Sequence, residues 1–270
     1  MSYALVTGAA KGIGKAIAAR LAEKNYHLLL VDIDADNLRE TATELAAQYH
    51  VNVHTLHQDL SHPDVLQQVL AWSTPYHDHL TVVVNNAGYG LNGAFETLSL
   101  TEQFNVIDVN IKAQVGLSYA YIPVLRQFPK AYLLNVASTT AYQTVPYLNI
   151  YASTKAFALS FTRGLRHELR HSTISVSALS PGSTDTDFVN RARMGSHTRS
   201  IANRFNMTAA SVGKIAVDGL FKGKAEIIPG FTNKLNAWLP KFFPKAFVER
   251  IAGNIYEPKE ETPAAVLSAS

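Results

Sequence analysis

The chain of 270 residues contains no cysteine, which excludes disulfide bonds, thiolate zinc sites and a cysteine nucleophile. It also has no apolar run that approaches the ~20 residues of a membrane-spanning helix. The first residues, MSYALVTGAA, enter a short strand directly instead of a basic stretch followed by a long apolar one. We therefore expect a cytoplasmic protein.

Neither sign of charge is in large excess, because the net charge is only +3. That value is too small to indicate nucleic-acid binding. Basic residues are nevertheless concentrated between Asp187 and Arg250, with 11 Lys and Arg against four acidic residues. A solvated basic face explains this distribution, and so does a positive rim that attracts anionic substrates or an anionic membrane surface.

Histidines cluster without the arrangement of a metal site. Six of the ten histidines fall between positions 50 and 79. They are spread over a predicted strand, a helix and a loop, so they lack the close spacing on one face that metal ligands need. We expect no bound metal.

Short, almost continuously apolar runs alternate with helix-length segments along the chain. The runs that read as buried strands are 3–8, 27–32, 80–88, 131–138 and 174–182, with a more alternating one at 52–60 and a late one at 225–231. The helical segments are 12–24, 35–49, 62–73, 99–127 and 151–171. This alternation predicts an α/β fold with a doubly wound parallel sheet of about seven strands and helices on both faces. We expect a single domain over 1–256 and a disordered tail, rich in Pro, Glu, Ala and Ser, over 257–270.

A glycine-rich turn follows the first predicted strand. In TGAAKGIG (7–14), Gly8, Gly12 and Gly14 allow backbone N–H groups to approach a phosphate at the start of a helix. The spacing differs from the usual G-x-G-x-x-G fingerprint of dinucleotide-binding folds. Asp32 ends the second strand, at the distance where an acid binds the adenosine ribose hydroxyls.

The stretch IYASTKAF places Tyr151 and Lys155 four residues apart, so both lie on one face of a helix. A free phenol has a pKa of about 10, too high for an efficient base near neutrality. An ammonium one turn away stabilises the tyrosinate and lowers that pKa. The pair therefore suits acid–base chemistry, although Y-x-x-x-K alone is a weak pattern.

Seven elements, taken in order, resemble the classical short-chain dehydrogenase/reductase family up to about residue 255. They are TGAAKGIG, Asp59 after the third strand, NNAG (85–88), Asn110 in DVN, Ser138, Tyr151 with Lys155, and PGSTDT (181–186). The resemblance implies a Rossmann-like oxidoreductase that transfers a hydride between a nicotinamide cofactor and an alcohol or ketone.

The resemblance also implies a role for each catalytic residue. Tyr151 would be the general acid in reduction and the general base in oxidation, and Lys155 would both lower its pKa and bind the nicotinamide ribose. Ser138 would hydrogen-bond the substrate oxygen. Asn110 would break a long helix and hold a water that links Lys155 to solvent.

The family's cofactor contacts map onto residues at the predicted strand ends. Thr184 would offer its backbone to the carboxamide and Thr186 a hydroxyl, while the others would hold the phosphates, riboses and adenine. The full set is Gly8, Ala10, Lys11, Gly12, Ile13, Gly14, Asp32, Asp59, Leu60, Asn86, Ala87, Gly88, Asn110, Tyr151, Lys155, Pro181, Gly182, Thr184 and Thr186.

Two residues of this set disagree about the cofactor. Lys11 is a cation of the sort that NADP-linked relatives place near the 2′-phosphate, whereas the Asp32 carboxylate favours NAD. Ile33 stands where many NADP-linked relatives carry an arginine. We expect NAD, with NADP less favoured.

The substrate end of the sequence is aromatic and apolar. The residues that indicate a pocket there are Tyr89, Leu91, Phe95, Ala141, Tyr142, Val145, Pro146, Tyr147 and Leu148. Any of them also fits a place in the core, and we expect this for about half of them. Residues 187–206 would form a lid that is poorly ordered without ligand, and the aromatic, basic segment 233–256 would pack over the pocket or a neighbouring subunit in preference to a membrane. The expected partner is a small-molecule substrate, which can be anionic or lipid-like, and the resemblance implies a homodimer or homotetramer through the helices at 99–127 and 151–171.

Several functions fit these features. An oxidoreductase acting on a moderately hydrophobic secondary alcohol or ketone uses all of them. A dinucleotide-sensing module without turnover would not need Ser138, Tyr151 and Lys155 together. An NADP-dependent carbonyl reductase, including one for ketoacyl substrates, also fits the motifs. A lyase or epimerase on the same fold fits them less well, because the glycine turn and the ribose acid are both intact.

Overall fold

Parallel strands form the centre of the molecule in the computed structural model, which describes residues 1–196, 198–200 and 206–258. The strands of the main sheet are β1 (Tyr3–Thr7), β2 (His27–Asp32), β3 (Val53–His57), β4 (Leu80–Asn85), β5 (Ala131–Val136), β6 (Ile174–Leu179) and β9 (Glu226–Ile227). Their order is β3-β2-β1-β4-β5-β6-β9, and every pairing is parallel. A separate short pair is formed by β7 (Thr184–Asp185) and β8 (Met207–Thr208). The predicted doubly wound α/β fold is confirmed.

Helices cover both faces of this sheet. They are α1 (Gly12–Ala22), α2 (Ala35–Tyr49), α3 (Val65–Ser73), α4 (Leu100–Ile107), α5 (Gln114–Leu125), α6 (Asn149–Glu168), α7 (Phe188–Arg191), α8 (Ala209–Phe221), α9 (Phe231–Trp238) and α10 (Lys245–Tyr256). Short 3-10 helices lie at Thr74–His79, Phe95–Thr97, Thr139–Tyr142 and Leu239–Phe242. None of the helices in the described part of the chain is long and apolar enough to cross a membrane.

The central strands have apolar residues at successive positions because they contribute side chains to two cores, one on each face of the sheet. In β1, Ala4 and Val6 pack in the cluster that contains α1, α2 and α8, while Leu5 packs in the cluster that contains α3 and α5. Successive side chains of a strand point to opposite faces, so a strand covered on both faces needs apolar residues at every position.

The predicted strands at 80–88, 131–138 and 174–182 are too long. The sheet ends at Asn85, Val136 and Leu179 because the paired ladder stops there, although Ala137 N and Ser180 N still donate to Leu179 O and Ile227 O. After β4 the chain turns away from its neighbours at once. The backbone N–H groups of Asn86 and Ala87 both donate to the side-chain hydroxyl of Thr7 at 3.1 Å, and not to a backbone carbonyl of a neighbouring strand. These turned-away residues are the ones that form the site.

The helix predicted over 99–127 is divided into three consecutive helical stretches. A π-helical stretch, Asp108–Ala113, separates α4 from α5, as the family's helix-breaking asparagine implied. The other helices differ from the predicted bounds only at their ends. In the predicted tail, residues 259–270 lie outside the described part of the chain.

The strand order reverses between β1 and β4, since β2 and β3 extend to one side and β5 and β6 to the other. In open α/β sheets, ligands bind beyond the carboxyl ends of the strands at such a switch point. The fold therefore places the glycine turn after β1 and the loop after β4 at the position where a ligand is expected.

Candidate active site

A cavity of about 750 Å³ opens at the carboxyl ends of β1, β2, β4, β5 and β6. It contains Ser138 and every predicted cofactor residue except Asn110. These are Gly8, Ala10, Lys11, Gly12, Ile13, Gly14, Asp32, Asp59, Leu60, Asn86, Ala87, Gly88, Tyr151, Lys155, Pro181, Gly182, Thr184 and Thr186. A single cavity thus joins the glycine turn to the tyrosine–lysine pair.

The backbone of the glycine turn adopts a conformation that side chains at Gly8 and Gly14 would not allow. Gly8 has φ of +65°, a conformation that L side chains rarely adopt, and a Cβ on Gly14 would lie 1.9 Å from the carbonyl oxygen of Gly8. The Asn86 amide fixes the turn to the end of β4, because Nδ2 donates to the carbonyl oxygens of Thr7 and Gly8, each at 2.9 Å.

The first turn of α1 leaves backbone donors free for a ligand. No side chain caps this helix, and its first turn contains no acidic residue. Uncapped N–H groups at a helix start attract an anion such as a pyrophosphate. Three features together fit a dinucleotide: the uncapped N–H groups, the glycines of the turn and the acidic residue at the end of β2.

Asp32 has two structural partners in this region. Its Oδ2 accepts from Ala10 N at 2.9 Å and its Oδ1 accepts from Asp34 N at 3.0 Å. Each carboxylate oxygen can accept more than one hydrogen bond. Asp32 can therefore hold the turn and still accept hydrogen bonds from ribose hydroxyls.

Lys11 is bound to a residue that lies outside the sequence motifs. Its Nζ lies 3.0 Å from Oδ2 of Asp34, which also caps α2 by accepting from Asn37 N. The Asn37 amide and the Lys11 ammonium lower the pKa of Asp34 to about 2, and the Asp34 carboxylate in turn raises the pKa of Lys11. The Lys11 charge is thus partly neutralised at the adenosine end of the cavity.

Tyr151, Ser138 and Lys155 meet at the other end of the cavity, and all three are buried. The Ser138 hydroxyl accepts from Thr140 N at 3.1 Å, and it lies close enough to the Tyr151 phenol to lower its pKa. Lys155 Nζ lies 5.7 Å from the centre of the Tyr151 ring and donates to the carbonyl oxygen of Val136 at 2.9 Å. A phenol, a hydroxyl and an ammonium therefore share one water-poor corner.

Burial dominates the titration of both ionisable groups in this corner. It raises the pKa of Tyr151 above the usual value for a phenol, while the nearby Ser138 hydroxyl lowers it in part. Burial also lowers the pKa of Lys155 to about 8. In this structure the Lys155 ammonium donates to the Val136 carbonyl oxygen and burial is the largest effect on the phenol; that Lys155 lowers the pKa of Tyr151 stays a prediction.

Asn110 lies behind the cavity wall and binds the backbone of Tyr89. Its Oδ1 accepts from Tyr89 N at 3.1 Å, and its Nδ2 donates to Tyr89 O at 2.9 Å. The same Nδ2 donates to the Thr154 hydroxyl at 2.9 Å, and that hydroxyl donates to Tyr151 O. Asn110 thus links the loop after β4 to the helix that contains Tyr151 and Lys155, and the π-helical stretch supplies the local geometry.

Part of the predicted lid, 187–206, covers this corner. The Phe188 ring packs 5.0 Å from the Tyr151 ring, and the Arg191 guanidinium lies 4.8 Å from the centre of the Tyr89 ring. Arg193 forms an ion pair with Glu102. Residues 197 and 201–205 of the predicted lid lie outside the described part of the chain.

The predicted pocket lining is mostly wrong. Of the nine residues proposed, only Tyr89 and Leu148 line the cavity. Tyr142 instead directs its hydroxyl to Ser180 and Glu226, on the far side of the 3-10 helix that follows Ser138. The apolar wall comes from the segment after β9, through Leu239, Pro240, Phe243, Phe247, Val248, Ile251, Ala252, Ile255 and Tyr256.

Comparisons with known proteins bear on this site. A family model described as short chain dehydrogenase matches residues 2–196. An uncharacterized oxidoreductase of Staphylococcus aureus strain N315 is 31% identical over 183 residues, which are 68% of this chain and 78% of that protein.

Two solved structures have the same fold. A short-chain dehydrogenase from Sphingobium yanoikuyae in complex with NADPH is 25% identical, has a TM-score of 0.77, and is matched over 98% of this chain and 99% of its own. A short chain dehydrogenase/reductase from Burkholderia phymatum in complex with NAD is 21% identical, has a TM-score of 0.81, and is matched over 89% of this chain and 93% of its own.

Proposed function

The chain belongs to the short-chain dehydrogenase family, and we propose that it interconverts moderately hydrophobic secondary alcohols and ketones with NAD(H) as its preferred cofactor. The observation that carries this proposal is the single cavity that contains the glycine turn together with Ser138, Tyr151 and Lys155. A module that only senses a dinucleotide has no need for a buried phenol, a buried hydroxyl and a buried ammonium in the same cavity.

The chain's own residues hold the cofactor and the substrate in place. The turn over 8–14 and the start of α1 bind the pyrophosphate, Asp32 the adenosine ribose, and Lys155 the nicotinamide ribose. The loops over 59–60, 86–88 and 181–186 surround the adenine and the nicotinamide. When bound, the nicotinamide supplies a hydride to the carbonyl carbon, or accepts one from the alcohol.

Proton transfer is the task of Tyr151. In reduction its hydroxyl donates a proton to the carbonyl oxygen, while Ser138 donates a hydrogen bond to the same oxygen and stabilises the developing charge. The phenol is protonated near neutrality and so has the proton that this step needs; burial raises its pKa further in the ligand-free protein, which by itself makes it a weaker acid. In oxidation Tyr151 removes the alcohol proton, and the Lys155 ammonium stabilises the tyrosinate electrostatically.

The cofactor preference rests on charge at the adenosine end. A 2′-phosphate beside Asp32 would meet a carboxylate, and two unit charges ~4 Å apart repel by about 4 kcal/mol at an effective dielectric of about 20. Lys11 offsets this little, because Asp34 already binds its ammonium. An NADP-dependent carbonyl reductase is the second candidate, and its cofactor would have to displace Asp34 from Lys11.

The substrate proposal rests on the apolar wall. Phe188, Leu148 and the C-terminal residues surround the space in front of Tyr151 with apolar side chains, and this space is one end of the cavity of about 750 Å³ that also includes the glycine turn. Assembly as a dimer or tetramer through α4, α5 and α6 is proposed on their exposed apolar side chains, Leu100, Phe104, Tyr119 and Phe157. A cytoplasmic location is part of the same proposal.

A screen of secondary alcohols and ketones of increasing apolar size, monitored by the absorbance of the reduced nicotinamide, tests the proposed function. We expect turnover that rises with apolar size and is greater with NAD(H). Tight cofactor binding without turnover of any compound in the panel would favour a dinucleotide-sensing module instead.

A further inference from the structure

The segment Phe231–Tyr256, here called the C-terminal segment, is unusually apolar on its outer surface. Among the described residues, half of the large hydrophobic side chains that are exposed belong to it. They are Phe231, Leu235, Trp238, Phe242, Phe243, Phe247 and Ile251. The segment also bounds the cavity, so this exposed surface lies beside the entrance to the site.

The apolar side chains of α9 face away from the protein by helical geometry. Asn233 and Ala237, four residues apart, are buried. Phe231, Leu235 and Trp238 follow at spacings of four and three residues, so they share the opposite face. Their exposed fractions are 82%, 39% and 55%. This helix therefore has an inner polar and small-residue face and an outer apolar face, the reverse of an ordinary surface helix.

The same pattern continues beyond α9. The Trp238 ring packs against Phe242 with centroids 4.3 Å apart, and Phe243 packs against Phe247 at 5.8 Å. These aromatic side chains contact one another while remaining about half exposed. Phe243, Phe247 and Ile251 line the cavity as well, so they form its rim.

Four cations accompany the apolar face. Lys234, Lys241, Lys245 and Arg250 are all exposed, and Glu249 is the one acidic residue in the segment. Within the described residues none of the four takes part in an ion pair, whereas other lysines and arginines of the chain do. Unpaired cations beside exposed aromatic rings are the composition of an interfacial helix.

We propose that the C-terminal segment docks the protein on an anionic lipid bilayer, with its aromatic side chains in the interfacial region and its four cations on the lipid head groups. Charge selects this partner over a second copy of the chain. A symmetric contact would bring each basic segment against its own copy and place like charges together, whereas an anionic surface is complementary. Docking would bring the cavity rim to the bilayer; this last consequence rests on the proposed function, but docking itself does not.

Flotation of the full-length protein with unilamellar vesicles tests the proposal without any need for turnover. One set of vesicles is phosphatidylcholine alone, and the other contains phosphatidylglycerol as well. We expect flotation with the anionic vesicles, loss of binding as salt is raised, and little binding to phosphatidylcholine. Equal binding to both, or to neither, would overturn the proposal.

Paired substitutions locate the surface. Lys241→Glu with Lys245→Glu should weaken binding to anionic vesicles by about tenfold or more, since each basic residue near the surface contributes separately. Lys222→Glu with Lys224→Glu changes two exposed lysines outside the segment and is the matched control. If both pairs weaken binding equally, the attraction is a property of net charge and the proposal fails.

Fluorescence reports on the aromatic face directly. The chain has two tryptophans, Trp72 and Trp238, so Trp72→Phe leaves Trp238 as the reporter. Its emission should shift to shorter wavelength with anionic vesicles and not with phosphatidylcholine. Two results together would overturn the proposal: an emission shift that depends on protein concentration in the absence of vesicles, and a molecular mass in solution that falls by half in Trp238→Ser. They would show that a second copy of the chain covers this surface.

The variants also separate this proposal from the proposed function. Lys241, Lys245 and Trp238 do not line the cavity. Their variants should therefore turn over a water-soluble ketone at the wild-type rate and melt at the wild-type temperature. Docking without turnover would leave the bilayer proposal intact and contradict the enzyme activity, whereas turnover without docking would do the opposite.

Discussion

Lys11 and Asp34 form an ion pair across the adenosine end of the cavity, with 3.0 Å between Nζ and Oδ2. This contact weakens the strongest argument for NADP in the sequence. It also leaves the Asp32 carboxylate, fixed by two backbone N–H groups, as the dominant charge for a cofactor ribose to meet.

We therefore predict that kcat/KM with NAD(H) exceeds that with NADP(H) by at least about tenfold, since the expected repulsion is several times the energy of a tenfold change. Steady-state kinetics with both cofactors on one substrate measure it. Equal efficiency would mean that the Asp32 carboxylate does not dominate and that Lys11 sets the preference.

The double variant Asp32→Ala with Ile33→Arg should reverse the preference, because it removes the carboxylate and adds a cation for the 2′-phosphate. Ile33→Arg alone is the control: it retains Asp32 and should shift the preference only in part. Since Asp32 also accepts from Ala10 N and Asp34 N, the melting temperature of the double variant should be measured alongside. Unchanged preference in a folded double variant would contradict the role of Asp32.

Lys155 gives a prediction for stability against pH. Its pKa is about 8 in the folded, ligand-free protein against 10.5 for an ordinary lysine, so folding disfavours its charged form. The cost is fully present below about pH 8, falls between pH 8 and the unfolded value, and is absent above it. Lys155→Met should therefore raise the free energy of unfolding by up to roughly 3 kcal/mol at neutral pH, and by much less near pH 10.

Chemical unfolding of the wild type and Lys155→Met across this pH range measures the difference. Lys222→Met, at an exposed position, is the matched control and should show no such trend. A Lys155→Met effect that is constant with pH would show that the lysine is not held at a lowered pKa.

The lid gives a prediction for dynamics. Phe188, Arg191 and Arg193 contact Tyr151, Tyr89 and Glu102 respectively, and Ala192 and Met194 are buried in the same cluster as Tyr151. Residues 187–196 are thus held on the site mainly by side-chain packing, with a backbone hydrogen bond from Asn92 N to Ala192 O at 2.9 Å. Such segments open at low free energy. Hydrogen exchange in peptides from 187–196 should slow when cofactor and a ketone are both bound, and equal exchange in both states would indicate a preformed pocket.

The parts of the molecule that follow from local sequence could be predicted. Strands covered on both faces need continuous apolar runs, and the glycine turn needs residues without side chains at Gly8 and Gly14. The Asp32 position follows from where the second run ends. These features depend on a few consecutive residues, so the amino-acid sequence itself contains the signal.

The substrate wall could not be predicted, because it depends on long-range packing. Tyr142 lies only four residues from Ser138, but its hydroxyl is drawn to Glu226, 84 residues away. Thr154 has a role only because the π-helical stretch brings Asn110 to it. The positions of Asn233 and Ala237 in α9, four residues apart and both buried, are a pattern from which a segment folded across the cavity could have been predicted. The basic and aromatic composition of 233–256 alone does not indicate which side of the segment faces the cavity.

We propose that Tyr151 transfers the proton in hydride chemistry, and the substitution Tyr151→Phe tests this role most directly. The substitution removes one oxygen and retains the ring that packs against Phe188, so folding and cofactor affinity should be nearly unchanged. Lys155→Ala, by contrast, should impair both turnover and cofactor binding. For Tyr151→Phe we predict that kcat falls by roughly 10²–10⁴, the usual contribution of a positioned acid or base, at unaltered cofactor affinity; a variant that keeps more than about half of the wild-type kcat would contradict the mechanism.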